Sequence, residues 1–328
     1  MNDQKYLGNH TTISYLTEKE WQHIPYLKDN NGALPPFVMA MGDVRRLNLS
    51  CEALELKNVV RLNEEGKKYL GPKGSGRVDS LIGCYEHQGK QVPIAMVETQ
   101  MGMPATEINL RETISHCSQE YTLGDQNIKS NAINVIRVGT AGGLNNPDSD
   151  SYDLQIGDLV NATFSIGWAG TLIESMAGLD YGSQDVLKVF KETWAKAGYE
   201  FTNDGVYPLG HSSPEINAAI NKAAKDVDIN IVEGGNFSKD SFYAEIDEQL
   251  FIDLRKNYNV MSTEMEQMAL LKLVWDFKNM GISLNTGLVS GIIGVVPGWT
   301  FETGEKAEQV EKNALKVAAQ ALWNICYS

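Results

Sequence analysis

Residues 132–143 read AINVIRVGTAGG, and this stretch decides the fold. Ile133, Val135, Ile136 and Val138 form a short run rich in β-branched residues, the pattern of a buried strand. The run meets Gly139-Thr140-Ala141-Gly142-Gly143, so the strand is expected to stop there and present backbone N–H groups at the carboxyl edge of a sheet. In open α/β folds that edge is where ligands bind. Arg137 breaks the apolar run. A guanidinium in such a strand needs an anion against it, because arginine stays charged and is rarely buried unpaired. The anion is either an internal carboxylate or a bound group such as phosphate, and this stretch alone leaves both open.

Upstream, Phe37–Met41 reads as a first strand halted by Gly42-Asp43, with Arg45 and Arg46 next and helical character over residues 48–56. The glycine-dense residues 71–77 follow no strand and lack a closing Gly-Lys-Ser/Thr, so they read as a surface loop rather than a phosphate loop. Residues 81–86 and 92–97 form a hairpin about His87-Gln88-Gly89-Lys90. A glycine-bearing break at residues 99–104 precedes a helix expected over 105–121. Downstream, a strand is expected from Gly157, and helices over 185–198 and 214–226. The run 260–266 then opens a long helix carrying Met268, Leu271 and Val274, followed by a glycine-interrupted strand over 286–296 and a terminal helix over 307–323. Strands and helices alternate without a long linker or an internal repeat. The reading is α/β, with a single domain over 36–328 behind a polar, turn-rich arm over 1–35 that carries His10 and His23.

The 328 residues carry a formal charge of −14, against the basic footprint of a nucleic-acid binder. A site for an anion must then be built locally, from a few arginines set against the global field. The cysteines, Cys51, Cys84, Cys117 and Cys326, are scattered without a C-x-x-C pair, which fits a reduced chain with no disulfide framework or zinc. The N-terminus lacks signal-peptide character, and the longest apolar run is far short of the ~20 residues a bilayer span takes. A cytoplasmic protein without membrane partners is expected. Asp148, Asp150 and Asp153 resemble the opening of a calcium loop, but Asp153 stands where that loop needs glycine and Leu159 where it needs glutamate. No metal is expected.

Three strand ends carry arginine or glycine: Gly42 with Arg46, Gly102, and Arg137 with Gly139 and Thr140. Arginine forks aimed at a glycine-rich backbone edge make a phosphate cradle. Glu264 and Glu266 flank Met265 where a strand-like run meets a helix start. They serve either as helix N-caps or as acceptors for vicinal hydroxyls such as those of a ribose. Phe242 is either core or a stacking platform for a flat base. No Ser/His/Asp or Cys/His arrangement is visible, G-x-S-x-G is absent, and the Gly139 turn is not the dinucleotide G-x-G-x-x-G.

The order of these pieces runs Gly42-Asp43-x-x-Arg46, the Gly102 turn, Ile136-Arg137-Val138-Gly139-Thr140-Ala141-Gly142-Gly143, Gly157-Asp158, Asp240-Ser241-Phe242-Tyr243 and Glu264-Met265-Glu266. It resembles the nucleoside phosphorylase family, which includes uridine phosphorylase and hexameric-type purine nucleoside phosphorylase, from about His23 to the C-terminal helix. The resemblance implies an α/β single domain with a central mixed, partly barrel-like sheet flanked by helices. It implies a pentosyltransferase in which inorganic phosphate is the co-substrate and no cofactor is needed. Gly42, Arg46, Arg137 and Thr140 would hold phosphate, with Arg77 lent by a neighbouring subunit. Glu266 would hold the ribose 2′ and 3′ hydroxyls beside Glu264, with Met265 packing on the sugar and His23 reaching a partner's 5′ hydroxyl. Phe242 would stack on the base, with Gly142 alongside. Arg137, Arg46 and Glu266 would carry the catalysis. A homo-oligomer, at least a dimer with shared active sites, follows.

Two departures bear on the base. Purine-specific members carry an aspartate after the penultimate strand, where this chain has Val296; uridine-type members carry a glutamine and an arginine shortly after the phenylalanine. Here that stretch offers Glu245 and a displaced Gln249, and no arginine. Uridine is the expected substrate, because its cleavage does not require the missing aspartate. The alternatives are purine phosphorolysis, a hydrolase, and a non-catalytic nucleoside-binding member.

Overall fold

The computed structural model describes residues 10–72, 74–147, 153–168, 209–240, 242, 248–298 and 300–328. The helix expected over 185–198, the aspartates Asp148 and Asp150, and Glu245 lie outside the described residues. Strand β1 (Phe37–Met41) is wholly buried and leads into helix α1 (Val44–Ala53). That helix begins earlier than its periodicity suggests, because the Asp43 carboxylate accepts from the Arg46 N–H at 2.9 Å and caps it. After β2 (Lys57–Arg61) and α2 (Leu62–Leu70), β3 (Ser80–His87) and β4 (Lys90–Glu98) pair antiparallel as the expected hairpin. Helix α3 (Met103–Ser115) starts at Gly102. It is shorter than expected, and a small hairpin, β5 (Glu120–Leu123) with β6 (Gln126–Lys129), takes the residues beyond it.

Strand β7 (Ile133–Leu144) corrects the opening expectation: the chain does not stop at Gly139 but runs extended through all the glycines. Its continuation is held from outside. Glycines 142 and 143 pair antiparallel with β11 (Val260–Glu264), and the whole strand pairs parallel with β12 (Leu284–Val296). Strands β8 (Leu159–Trp168) and β10 (Ile231–Lys239) complete a ring in the order β7, β12, β8, β10, β11 and back to β7. Strand β9 (Leu209–His211) adds to β8, and β13 (Thr300–Phe301) to β12. From the ring, β1, β4, β3 and β2 extend as an open wing. The central sheet is therefore mixed and barrel-like.

Between β9 and β10 lies α4 (Pro214–Asp226), as its periodicity predicts. Helices α5 (Glu248–Tyr258), α6 (Gln267–Asn279) and α7 (Glu305–Cys326) follow. Strand alternation sorts the faces. Met39, Met41, Ile136 and Val138 pack with Ile216, Val310, Leu315 and Leu322 from α4 and α7. Val38, Ala40, Ile133 and Val135 pack with Leu110, Ile114, Leu270 and Phe277 from α3 and α6. Arg137 continues the second set, so it emerges where α3 and α6 begin. The segment ahead of β1 caps this face, with Ile13, Ile24, Leu27 and Leu34 buried in the same cluster. No helix among the described residues is long and apolar enough to cross a membrane.

Candidate active site

A cavity of about 550 Å³ opens where the ends of β1, β7, β10 and β11 meet the starts of α1, α3 and α6. At one end sits Arg46, whose Nη2 donates to Thr140 Oγ1 at 3.0 Å and whose Nε donates to Glu311 Oε1 at 2.9 Å. Arg45 donates to both oxygens of the same carboxylate, each at 2.7 Å. Glu311 is buried on α7, so it fixes both arginines rather than meeting ligand. A Cβ on Gly42 would stand 3.0 Å from Arg46 Nη1, and its absence lets the guanidinium lie against the turn.

Arg137 is only 3% exposed. Its Nη2 donates to Glu266 Oε2, and its Nη1 stands 3.9 Å from Glu264 Oε2. Its Nε and Nη1 are buried without a hydrogen-bond partner among the described residues, which leaves donor capacity beside the cavity. The side chain lies along its own strand over Gly139, where a Cβ would be 2.0 Å from Nη1. That glycine is required by the arginine.

Glu266 Oε1 accepts from the Gly102 N–H at 2.8 Å, and Gly102 sits at φ +88, a conformation side chains resist. Two partners leave spare lone pairs on this carboxylate, which has about four acceptor positions. Glu264 is different. It accepts from Asn236 Nδ2 and Ser238 Oγ, each at 2.7 Å, and from the N–H groups of Glu266 at 2.7 Å and Gln267 at 3.0 Å. Of the two sequence readings, capping describes it. Burial, followed by the neighbouring charge of Glu266, pushes its pKa up, with Arg137 opposing.

The other end of the cavity is apolar and aromatic, lined by Met101, Met265, Ile293, Phe301 and Phe242, the last 56% exposed at the rim. Lys239, the last residue of β10, lines the cavity too.

Arg46, Arg137, Thr140, Gly42, Gly142, Phe242, Glu264, Met265 and Glu266 are thus brought together at one cavity. His23 and Arg77 are not: both are exposed and neither lines this cavity. The His23 ring stacks on Tyr69 with centroids 5.2 Å apart. Gln249 stands exposed on α5 and donates to Asp253 Oδ1 at 2.9 Å, away from the cavity lining, because a helix begins at Glu248 and turns it outward. Val296 is buried with Leu144, Phe237, Phe251 and Val260, so the β12 residue that reaches the cavity is Ile293. Among the described residues no group of His, Cys, Asp and Glu is placed to hold a metal ion.

The sequence reading missed Glu311 and Lys239. Glu311 had a signal, a carboxylate on the stripe of α7 shared by Leu315, Ala318 and Leu322. A lysine ending a polar strand has none.

Comparisons with known proteins bear on the family and the fold. A model of the phosphorylase superfamily matches residues 54–322. Among solved structures, purine nucleoside phosphorylase from Toxoplasma gondii in complex with immucillin-H is similar at 18% identity, covering 98% of each chain with a TM-score of 0.59. A uridine phosphorylase structure from the oomycete Phytophthora capsici is similar at 16% identity, covering 89% of this chain and 90% of that one, TM-score 0.59. A nucleoside phosphorylase from Trypanosoma brucei, described as showing uridine phosphorylase activity, is similar at 16% identity over 89% and 94%, TM-score 0.58. No curated protein matches. These likenesses are of fold. Together with the match over most of its length, they identify the chain as a member of the phosphorylase superfamily, with the nucleoside phosphorylase fold.

Proposed function

We propose that this protein phosphorolyses nucleosides, with uridine preferred, yielding free base and ribose 1-phosphate. The observation that carries the reading is the polarity of the cavity: Arg46, Thr140 and Arg137 at one end, the Glu266 carboxylate in the middle, and Phe242 with Phe301 at the other. A phosphate dianion at the arginine end takes bidentate bonds. The spare lone pairs of Glu266 suit a vicinal diol, and the aromatic end suits a flat base. As the glycosidic bond breaks, positive charge develops at C1′, and the held dianion both stabilises that charge and stands ready to attack. Two arginines at one end argue against a hydrolase, which has little use for a phosphate cradle. The preference for uridine over purines is supported by the lining of β12, whose contribution, Ile293, is no acid that protonates a purine.

A homo-oligomer of at least two chains with shared sites is part of the proposal, since exposed His23 and Arg77 then serve a neighbour's cavity. The test is base release from uridine, thymidine, inosine, guanosine and adenosine, each with and without phosphate. Phosphate-dependent release of uracil in excess over the purines is the expected result. Release without phosphate overturns phosphorolysis, comparable turnover of inosine overturns the preference, and silence on all five favours a non-catalytic role.

A further inference from the structure

By charge alone, the residues that line the cavity make a poor anion trap. Among the described residues, three cations, Arg46, Arg137 and Lys239, are set against four carboxylates, Asp43, Glu98, Glu264 and Glu266. Behind the lining stands Glu311, only 4% exposed, whose Oε1 accepts from Arg46 Nε at 2.9 Å. Asp43 Oδ2 lies 3.7 Å from the same nitrogen. Left to these two acids, the charge of Arg46 is cancelled. A net attraction for an anion must then come from a cation outside the lining, in a chain whose formal charge is −14. Arg45 is such a cation. Its side chain is 57% exposed and does not line the cavity, yet its Nη2 donates to both oxygens of Glu311, each at 2.7 Å. Glu308, another acid near Arg45, is paired with Lys312 at 2.7 Å. The Glu311 carboxylate is thus shared by two guanidiniums, and the shorter contacts go to Arg45. Arg46 is oriented by Glu311 through Nε and by Thr140 through Nη2, which leaves Nη1, beside Gly42, with donors for a ligand.

Resting on the reading of a phosphorylase, we infer that Arg45 is a positioning residue for the anion site: by sharing Glu311 it keeps that carboxylate from cancelling the charge of Arg46, which then holds a phosphate dianion. Arg45 touches neither substrate, and no bond forms or breaks at it. In Gly42-Asp43-x-x-Arg46 it stands at one of the unspecified positions, so the motif does not contain its role. Its contribution is to binding of the oxyanion in ground state and transition state alike, and it therefore belongs in the KM for phosphate rather than in kcat. Glu311 has two effects of opposite sign. It aims Arg46, and it opposes the anion that Arg46 is aimed at.

The test compares wild type, Arg45→Met, Arg45→Lys and the double variant Arg45→Met with Glu311→Gln. It reads steady-state kinetics with phosphate varied, calorimetric binding of inorganic phosphate, and thermal unfolding as the check on folding. Arg45→Met is expected to raise both KM and Kd for phosphate about tenfold, the scale of one partly screened charge acting on a dianion, with kcat and the KM for nucleoside within about twofold. Arg45→Lys keeps the charge and should recover most of the affinity. Glu311→Gln removes the opposing charge while its amide oxygen still accepts from Arg46, so the double variant should bind phosphate about threefold or more tighter than Arg45→Met. The gap between wild type and Arg45→Met should also narrow as ionic strength rises. An unchanged phosphate Kd in Arg45→Met, a loss confined to kcat, or a folded double variant that binds no better than the single one overturns the inference and leaves phosphorolysis intact. Should the double variant not fold, the absence of both lysine rescue and salt dependence overturns it equally. A wild type that binds phosphate with the expected response to Arg45→Met but cleaves no nucleoside overturns phosphorolysis alone, and one that binds no phosphate overturns both.

Discussion

Replacing Gly139 by alanine is a small change with a large expected effect. The new Cβ would sit 2.0 Å from Arg137 Nη1 and 3.1 Å from its Cζ. Non-bonded contact needs about 3.5 Å, so the end of the guanidinium must move by about 1.5 Å. The side chain is packed at 3% exposure, and the fork can move only by leaving Glu266 and the cavity. A displacement of that size at a reacting centre costs about 10²-fold, and outright loss of one charged donor about 10²–10³-fold. We expect kcat/KM for phosphate-dependent uridine cleavage to fall within that range while the protein remains folded, since alanine in a strand otherwise gains about 0.5–1 kcal/mol over glycine. The assay is steady-state kinetics beside thermal unfolding, repeated in an Arg137→Lys background. Lysine lacks the fork atom that clashes, so there the same alanine should cost less than about threefold. Undiminished activity of Gly139→Ala, or a full further loss on top of Arg137→Lys, would refute the steric coupling.

Glu112 is buried and gathers the N–H groups of His10 and Thr11, each at 2.8 Å, with the Thr11 hydroxyl at 3.0 Å. Glu112→Ala should destabilise the fold by about 3 kcal/mol in denaturant titration and expose the segment ahead of β1 to protease, because several buried donors lose their acceptor at once. An unchanged midpoint would show that the segment is held by its apolar residues alone. Glu264 has a pKa raised above 4.5, so the native state keeps its proton to higher pH than the unfolded chain does. Its contribution to stability is greatest below 4.5 and declines as pH rises above it, so the stability of wild type relative to Glu264→Gln should fall with pH across that window. A flat or rising difference would contradict the sign. If sites are shared, mixing inactive Arg77→Ala with inactive Arg137→Ala chains should restore activity, because one cavity of a mixed pair keeps both arginines; no recovery after verified subunit exchange would exclude sharing.

Much of the fold was legible because it is local. The β-branched run Ile133, Val135, Ile136 and Val138 marked β7 as a buried strand, and the periodicity of 214–226 marked its helix. The strand-end arginines and glycines and the Glu264-Met265-Glu266 turn marked the cavity, since each motif contains both its side chain and the backbone that aims it. What the sequence could not contain is the partner across space. Glycines 139, 142 and 143 have little strand propensity of their own; β12 pairs along all three, and β11 holds Gly142 and Gly143 from the other side. The question of what meets Arg137 was likewise answered in three dimensions, by Glu266 with Glu264 behind it. Short polar strands such as β5 and β6 carry too few residues for a period to show. Glu311 gains its role only from the distant residues it meets, the paired Arg45 and Arg46. Local pattern determined most of the elements and of the motifs that line the cavity; closure of the ring decided which charges face one another, because electrostatic partnership depends on distance in space and not along the chain.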